Sequence, residues 1–391
     1  MKCGWSIALA IMLLLLGCGP SGEELVRAAK EDFKNDDKEA AVEKIFKAAD
    51  KKYPRGMIIA GGLYIEGELV EPDAERGFAL IQEAVEMGDP DAMFAIASCY
   101  EDGEGVKASP ARAKYWRKQA LEKGSPLAMY LEASRLISEA ESSWFDRKLD
   151  ARQSRKMKSR QEERTDIKMA FELLNKIVPY DEEMRQNILM QKANVYLKGL
   201  GGFRDSRKAV ALYMECVDAG NVRAAKELGR AYCDGEELRR DYDKGVELLL
   251  KGGEKDLTTW DFETLGWAYL DPNWKGFDLQ TGVHYLEKVI ELAESDRFVD
   301  KELAVLGRIY AYEDPIGMNR DRGIDYLKRA ANQLNGEASY YLAVLYFNGE
   351  YVEQDYNKAS LSLSSSIGEE GRIGDAASRL RKTIFEMEYG E

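Results

Sequence analysis

Residues 91–126 read DAMFAIASCYEDGEGVKASPARAKYWRKQALEKGSP, and the pattern inside this stretch decides how the rest of the chain is read. Ala92, Ile96, Ala97 and Tyr100 fall at helical spacing on one face, which predicts a short amphipathic helix from Asp91 to about Glu101. Ala97, in the middle of that face, lets a neighbouring helix come close. Gly103 and Gly105 supply positive-φ backbone, Ser109 is a helix cap, and Pro110 takes the first turn of a second helix, where its missing N–H does no harm. The second helix runs to Lys123, buries Trp116 and Ala120, and stops at Gly124.

The same residue types return along the chain. Tyr100 has counterparts at Tyr64, Tyr196, Tyr232, Tyr269, Tyr310 and Tyr346, and three residues before each tyrosine stands Gly61, Ala97, Ala193, Gly229, Gly266, Gly307 or Ala343. Loop glycines follow at Gly67, Gly103, Gly199, Gly235 and Gly349, then caps at Asp73, Ser109, Asp205, Asp241, Asp278, Asn319 and Asp355. The spacing is 36 residues from Tyr64 to Tyr100, from Tyr196 to Tyr232 and from Tyr310 to Tyr346. A period of that size marks a solenoid of stacked helix-turn-helix units. Glycine inside a helix costs about 1 kcal/mol against alanine, so its return at one register implies a tight helix contact there.

This pattern resembles the Sel1-like repeat family, a relative of the tetratricopeptide repeats. The final copy carries it through Ala338, Leu342, Ala343, Tyr346, Gly349, Val352, Asp355, Lys358 and Ala359, and an earlier copy through Asp205, Lys208, Ala209 and Gly220. Pro272 in place of a loop glycine and Pro315 in a longer loop depart from it. The resemblance implies an all-α, right-handed α-solenoid of about eight Sel1-like helix-turn-helix repeats with helical caps. It also implies a role in protein–protein interaction. Exported members act as assembly partners in exopolysaccharide secretion or as immunity proteins that bind toxic effectors.

The chain opens with MKCGWSIALAIMLLLLGCGP, whose apolar run from Ile7 to Leu16 is too short to span a bilayer but suits an export signal. Leu15, Leu16, Gly17 and Cys18 resemble a bacterial lipobox, which implies cleavage before Cys18 and a diacylglycerol on its thiol; an ordinary signal with an incidental cysteine is the plainer alternative. Gly19 in place of aspartate implies sorting to the outer membrane, facing the periplasm. Losing residues 1–17 removes one lysine and takes the formal charge from −14 to −15. An acidic chain of this kind repels nucleic acid phosphates. Cys99 and Cys233 adjoin repeat tyrosines and read as small buried hydrophobes, while Cys216 and Cys233, on successive helices of an exported protein, are a candidate disulfide.

Residues 18–54 read as a tether and an amino-terminal helical cap, 55–367 as the solenoid, and 368–391 as a closing helix from about Asp375 to Glu388, with Leu380, Ile384 and Phe385 on one side. The third unit is interrupted. Its first helix begins at Leu127, its second appears only at Asp166 to Val178, and an insertion at 138–165 lies between them. There Arg147, Lys148, Arg152, Arg155, Lys156, Lys158, Arg160 and Arg164 face only Asp150, Glu162 and Glu163. That run reads either as a binding arm for an anionic partner, such as a phosphate-bearing lipid head group, an acidic polysaccharide or an acidic protein surface, or as a solvated helix.

Catalysis has little support. The single histidine, His284, stands in a second helix and reads as a surface or packing residue, and no nucleophile elbow, metal motif or phosphate loop is present. The tyrosine ladder reads as core. The expectation is a non-enzymatic interaction scaffold of the bacterial cell envelope without cofactor or metal, an immunity protein or a modulator of an envelope enzyme being the alternatives.

Overall fold

The computed structural model describes residues 20–148, 160–313, 319–349, 351–366 and 371–389, with backbone alone at 144–148, 313, 388 and 389. Among these the chain forms nineteen α-helices and no strand. It divides into two compact units, Met1–Asp205 and Ser206–Glu391. The first holds a cap pair, α1 (Gly22–Lys34) and α2 (Lys38–Asp50), then α3 (Pro54–Glu66), α4 (Ala74–Glu86), α5 (Pro90–Asp102), α6 (Pro110–Glu122), α7 (Pro126–Lys148), α8 (Arg160–Lys176) and α9 (Glu182–Lys198). The second holds α10 (Ser206–Asp218), α11 (Val222–Asp234), α12 (Tyr242–Leu249), α13 (Thr259–Tyr269), α14 (Leu279–Leu292), α15 (Asp300–Arg308), α16 (Arg320–Asn332), α17 (Gly336–Asn348), α18 (Tyr356–Ser362) and α19 (Arg372–Tyr389).

Three devices recur through the repeats, and all three follow the sequence register. The first is a contact of small residues. Helix pairs cross where the small residue before the tyrosine meets a second small residue sixteen positions on: a side chain built on Gly229 would reach 2.9 Å from the carbonyl oxygen of Gly245 and 2.9 Å from Leu249 Cγ. At Gly61 the same construction meets the Gly77 carbonyl oxygen at 2.8 Å, and Ala97 and Ala113 fill the corresponding places in α5 and α6.

The second device is a loop clamp. The cap residue's N–H donates to the tyrosine's own carbonyl oxygen at Asp73 (2.9 Å), Ser109 (2.7 Å), Asp205 (3.0 Å), Asp241 (3.0 Å), Asp278 (3.0 Å) and Asp355 (2.9 Å). The carboxylates of Asp73, Asp241, Asp278 and Asp355 and the amide oxygen of Asn319 also accept N–H bonds from the first turn of the helix that follows; the Ser109 hydroxyl makes no such bond. Gly103 (φ 81°) ends α5 in left-handed backbone, as Gly235 (φ 71°) ends α11.

The third device is a cation twelve residues after the tyrosine, lying over the tyrosine's ring: Arg76 on Tyr64, Arg112 on Tyr100, Lys244 on Tyr232, Arg322 on Tyr310 and Lys358 on Tyr346, at 4.6 to 5.8 Å from the centroid. The rings themselves pack on aromatics of adjoining helices, as Phe46 on Tyr64, Phe78 on Tyr100 and Phe171 on Tyr196. The tyrosine ladder is therefore packing.

Several details differ from the sequence expectation. The helices of the third pair run on into the insertion: α7 continues to Lys148 and α8 already begins at Arg160, because neither segment contains a glycine or proline to stop it. Where Pro272 replaces the loop glycine, Leu270 ends α13 in right-handed backbone and Trp274 folds back over Tyr242 and Tyr269, its indole N–H donating to Asp243 at 2.9 Å. After α15 the backbone widens into a π-helical turn, Ile309–Glu313. The closing helix starts three residues early, at Arg372, and buries Ile384 while leaving Phe385 exposed. Cys216 and Cys233 are buried and are not joined in a disulfide. Cys216 sits beside the turn that joins α10 to α11, whereas Cys233 lies eleven residues into α11, about 16 Å along it at 1.5 Å per residue. Burial pushes the Cys99 thiol up to about 11 and the Cys233 thiol up to about 12, so both stay protonated.

Candidate functional site

Within each unit first helices of neighbouring repeats touch one another. α3 touches α5, α5 touches α7 and α7 touches α9; in the second unit α11 touches α13 and α15 touches α17. This leaves one face of every first helix free of its own partner helix, and polar side chains link one repeat to the next across that face. In the first unit Ser125 donates to Asp91 (2.5 Å), Gln191 to Ser134 (3.1 Å), and Asn194 and Lys198 both to Glu141. In the second, Arg230 and Lys226 of α11 hold Asp261 of α13, and Asn335 donates to Asp300 (2.9 Å).

Asp261 is the hub of the second unit's row. It is fully buried at the start of α13, closes a capping box with Thr258, and pairs with the Arg230 guanidinium and with Lys226 Nζ at 3.3 Å. Burial alone would raise its carboxyl, but the Thr258 hydrogen bonds and the two cations outweigh it and hold the group below the usual carboxylate range. Glu302, buried at the start of α15, goes the other way: desolvation and the nearby Glu263 and Asp300 hold its carboxyl above the usual range.

Two clefts open on these rows. One, about 570 Å³, lies between α1, α3 and residues 180–183; Lys30 bridges Asp181 and Glu183 at 2.7 Å each, and the Arg55 guanidinium lies 4.1 Å over the Tyr180 ring. The other, also about 570 Å³, is lined by Val222, Arg223, Lys226, Glu227, Arg230, Thr258 and Trp260, with Trp260 74% exposed. The motif reading missed both, because neither is a motif. Trp260 has one sequence signal: it stands six residues before the small residue of its repeat, a place filled by Arg55, Asp91, Asn187, Arg223, Lys301 and Glu337 in the other tyrosine-bearing copies and by Leu127 in the interrupted third unit.

The sites named from the sequence are placed as follows. Cys18, Arg152, Arg155, Lys156 and Lys158 lie outside the described residues. Arg147 and Lys148 fall at the end of α7, and Arg160 and Arg164 are exposed at the start of α8, so the two ends of the basic run belong to one antiparallel helix pair. His284 is exposed on α14, its ring 5.5 Å from that of Tyr285. No group of histidines, cysteines and carboxylates that could hold a metal ion occurs among the described residues, and no described helix is long and apolar enough to cross a membrane.

With the repeat geometry established, comparison with known proteins identifies it. The Sel1 repeat family matches residues 54–89, 90–125, 193–213, 222–257, 303–333 and 336–359. This chain is a Sel1-repeat protein. Such repeats generally mediate protein–protein interaction and their scaffolds are typically non-catalytic. A protective antigen present in uropathogenic Escherichia coli strains, displaying an SLR fold, is similar over 99% of this chain and 84% of its own at 16% identity, with a TM-score of 0.54. That likeness supports the Sel1-repeat solenoid and nothing more. A Sel1 repeat protein from Oxalobacter formigenes (18% identity, 78% and 80% covered, TM-score 0.44) and immunity protein Pa5087 from Pseudomonas aeruginosa (13% identity, 85% and 81% covered, TM-score 0.20) are too distant in structure to carry an argument. No curated protein matches the sequence.

Proposed function

We propose that this Sel1-repeat protein is a non-enzymatic scaffold that binds a protein partner through the aligned first helices, held at the bacterial envelope by a lipid on Cys18. The observation that carries the scaffold reading is the row of first helices, α3 on α5, α5 on α7 and α7 on α9 in the first unit and α11 on α13 in the second, since stacked rows of this kind form the binding surfaces of solenoids. The lipobox-like Leu15–Cys18 carries the anchor, and the short tether before α1 keeps the repeats near the membrane surface. The family resemblance makes exopolysaccharide secretion the setting to test first.

Two measurements test this reading. Cys18→Ser is expected to abolish metabolic labelling with a palmitate analogue; unchanged labelling overturns the anchor. Affinity capture from solubilised membranes is expected to recover a partner protein in stoichiometric amount, and capture of none overturns the scaffold.

A further inference from the structure

We infer that the cleft between α11 and α13 takes a short acidic segment of a partner protein, its carboxylate on Arg223 and an apolar or aromatic side chain against Trp260. The inference rests on the scaffold reading and names the partner's chemistry at one place on it. A tryptophan is a poor choice for a position that the other tyrosine-bearing repeats fill with a polar residue, and at 74% exposure this one gains little from packing in the free protein. Its indole N–H has no hydrogen-bond partner among the described residues. Exposed Trp and Arg together are the residue types that dominate binding energy at protein interfaces.

The charges around the indole sort into two sets. Lys226 and Arg230 are already committed: both pair with buried Asp261, Lys226 also donates to the Asp256 carbonyl oxygen (2.7 Å), and Arg230 pairs with Glu227 (2.9 Å). They form a largely neutralised, fixed floor to the cleft. Arg223, one turn earlier on α11, is exposed and makes no ion pair or hydrogen bond among the described residues, so its five N–H donors are free for a carboxylate. With Asp261 counted beneath Lys226 and Arg230, three cations stand against two carboxylates, Glu227 and Asp261, and Arg223 leaves this cleft locally positive within a chain of net charge −14. That local reversal favours an anionic occupant, and the acidity of the whole disfavours a nucleic acid. Val222 and Trp260 supply apolar surface on either side, and about 570 Å³ is room for a few residues of an extended segment.

The test uses the mature full chain and the probe peptide Ac-Glu-Glu-Phe-Glu-Glu-NH2, with Ac-Lys-Lys-Phe-Lys-Lys-NH2 as control, by isothermal titration. The acidic peptide is expected to bind, more weakly at high salt, and to lose at least fivefold in affinity in Arg223→Glu and again in Trp260→Ala. Both side chains are exposed, so thermal melts of the variants should match the parent. Absence of acidic-peptide binding, binding of the basic peptide as tight as the acidic one, or a loss below fivefold in either variant overturns the inference. The membrane capture repeated with the double variant separates the two readings. A partner captured by the parent and retained by the variant removes this cleft and leaves the scaffold standing, whereas no partner captured by the parent removes the scaffold.

Discussion

Asp261 shows how one carboxylate can lock two repeats together. It is fully buried, and its charge is affordable only because Thr258, Arg230 and Lys226 surround it. Removing that charge in Asp261→Asn leaves two cations facing an amide, a change expected to cost about 3 kcal/mol at neutral pH. The sign of the pH dependence follows from the direction of its shift. The folded-state carboxyl lies below its unfolded value, so the stabilisation is fully present above about pH 4, the unfolded carboxylate range, and is lost as pH falls through the lower folded value. Denaturant melts of parent and variant at neutral pH and in acid check this. The gap between them should be wide at neutral pH and narrow in acid, and a gap that stays constant across that range would mean the carboxylate is not ionised in the fold.

At the scale of the element, the contact that defines the repeat is between two small residues. Gly266→Leu would drive its side chain into Leu286, whose Cγ lies 2.7 Å from where even a Cβ would sit, and Gly229→Leu would meet the Gly245 backbone. Overpacking of this kind typically costs about 1 to 3 kcal/mol. Both variants should melt clearly below the parent by circular dichroism, and melts matching the parent would show that these faces are not helix contacts. This contact was legible in the sequence because it recurs: the small residue, the tyrosine, the cap and the later cation keep fixed offsets, and each offset turned out to be one physical contact. What recurs is packing. Trp260 and Arg223 were not legible as a pair because they lie 37 residues apart and meet only when two first helices are set side by side. The paired cysteines misled for a related reason, since adjacency of helices says nothing about the height of a residue along each.

The whole molecule carries its charge unevenly, and a marked local excess of positive charge lies in the sequence of the third repeat's insertion, residues 147–164. α7 is 23 residues long against 13 for α5, so it outruns the repeat by about 15 Å at 1.5 Å per residue, and part of that extension is held by Glu141 on Asn194 and Lys198 of α9. Arg147, Lys148, Arg160 and Arg164 belong to the far end of the pair, where Arg160 and Arg164 are exposed. Eight cations within residues 147–164 of an acidic chain suit an anionic surface, each adding about 1 kcal/mol near such a surface and less as salt rises. Changing Arg155, Lys156, Lys158 and Arg160 together to Ser should leave the melting temperature unchanged, because the insertion falls outside the repeat register of the sequence. It should also weaken binding to phosphatidylglycerol vesicles, with the larger loss at low salt. Sedimentation with vesicles at two salt concentrations reads this directly. Equal sedimentation of variant and parent at both would make the arm a solvated helix pair and leave the binding surface to the aligned first helices alone.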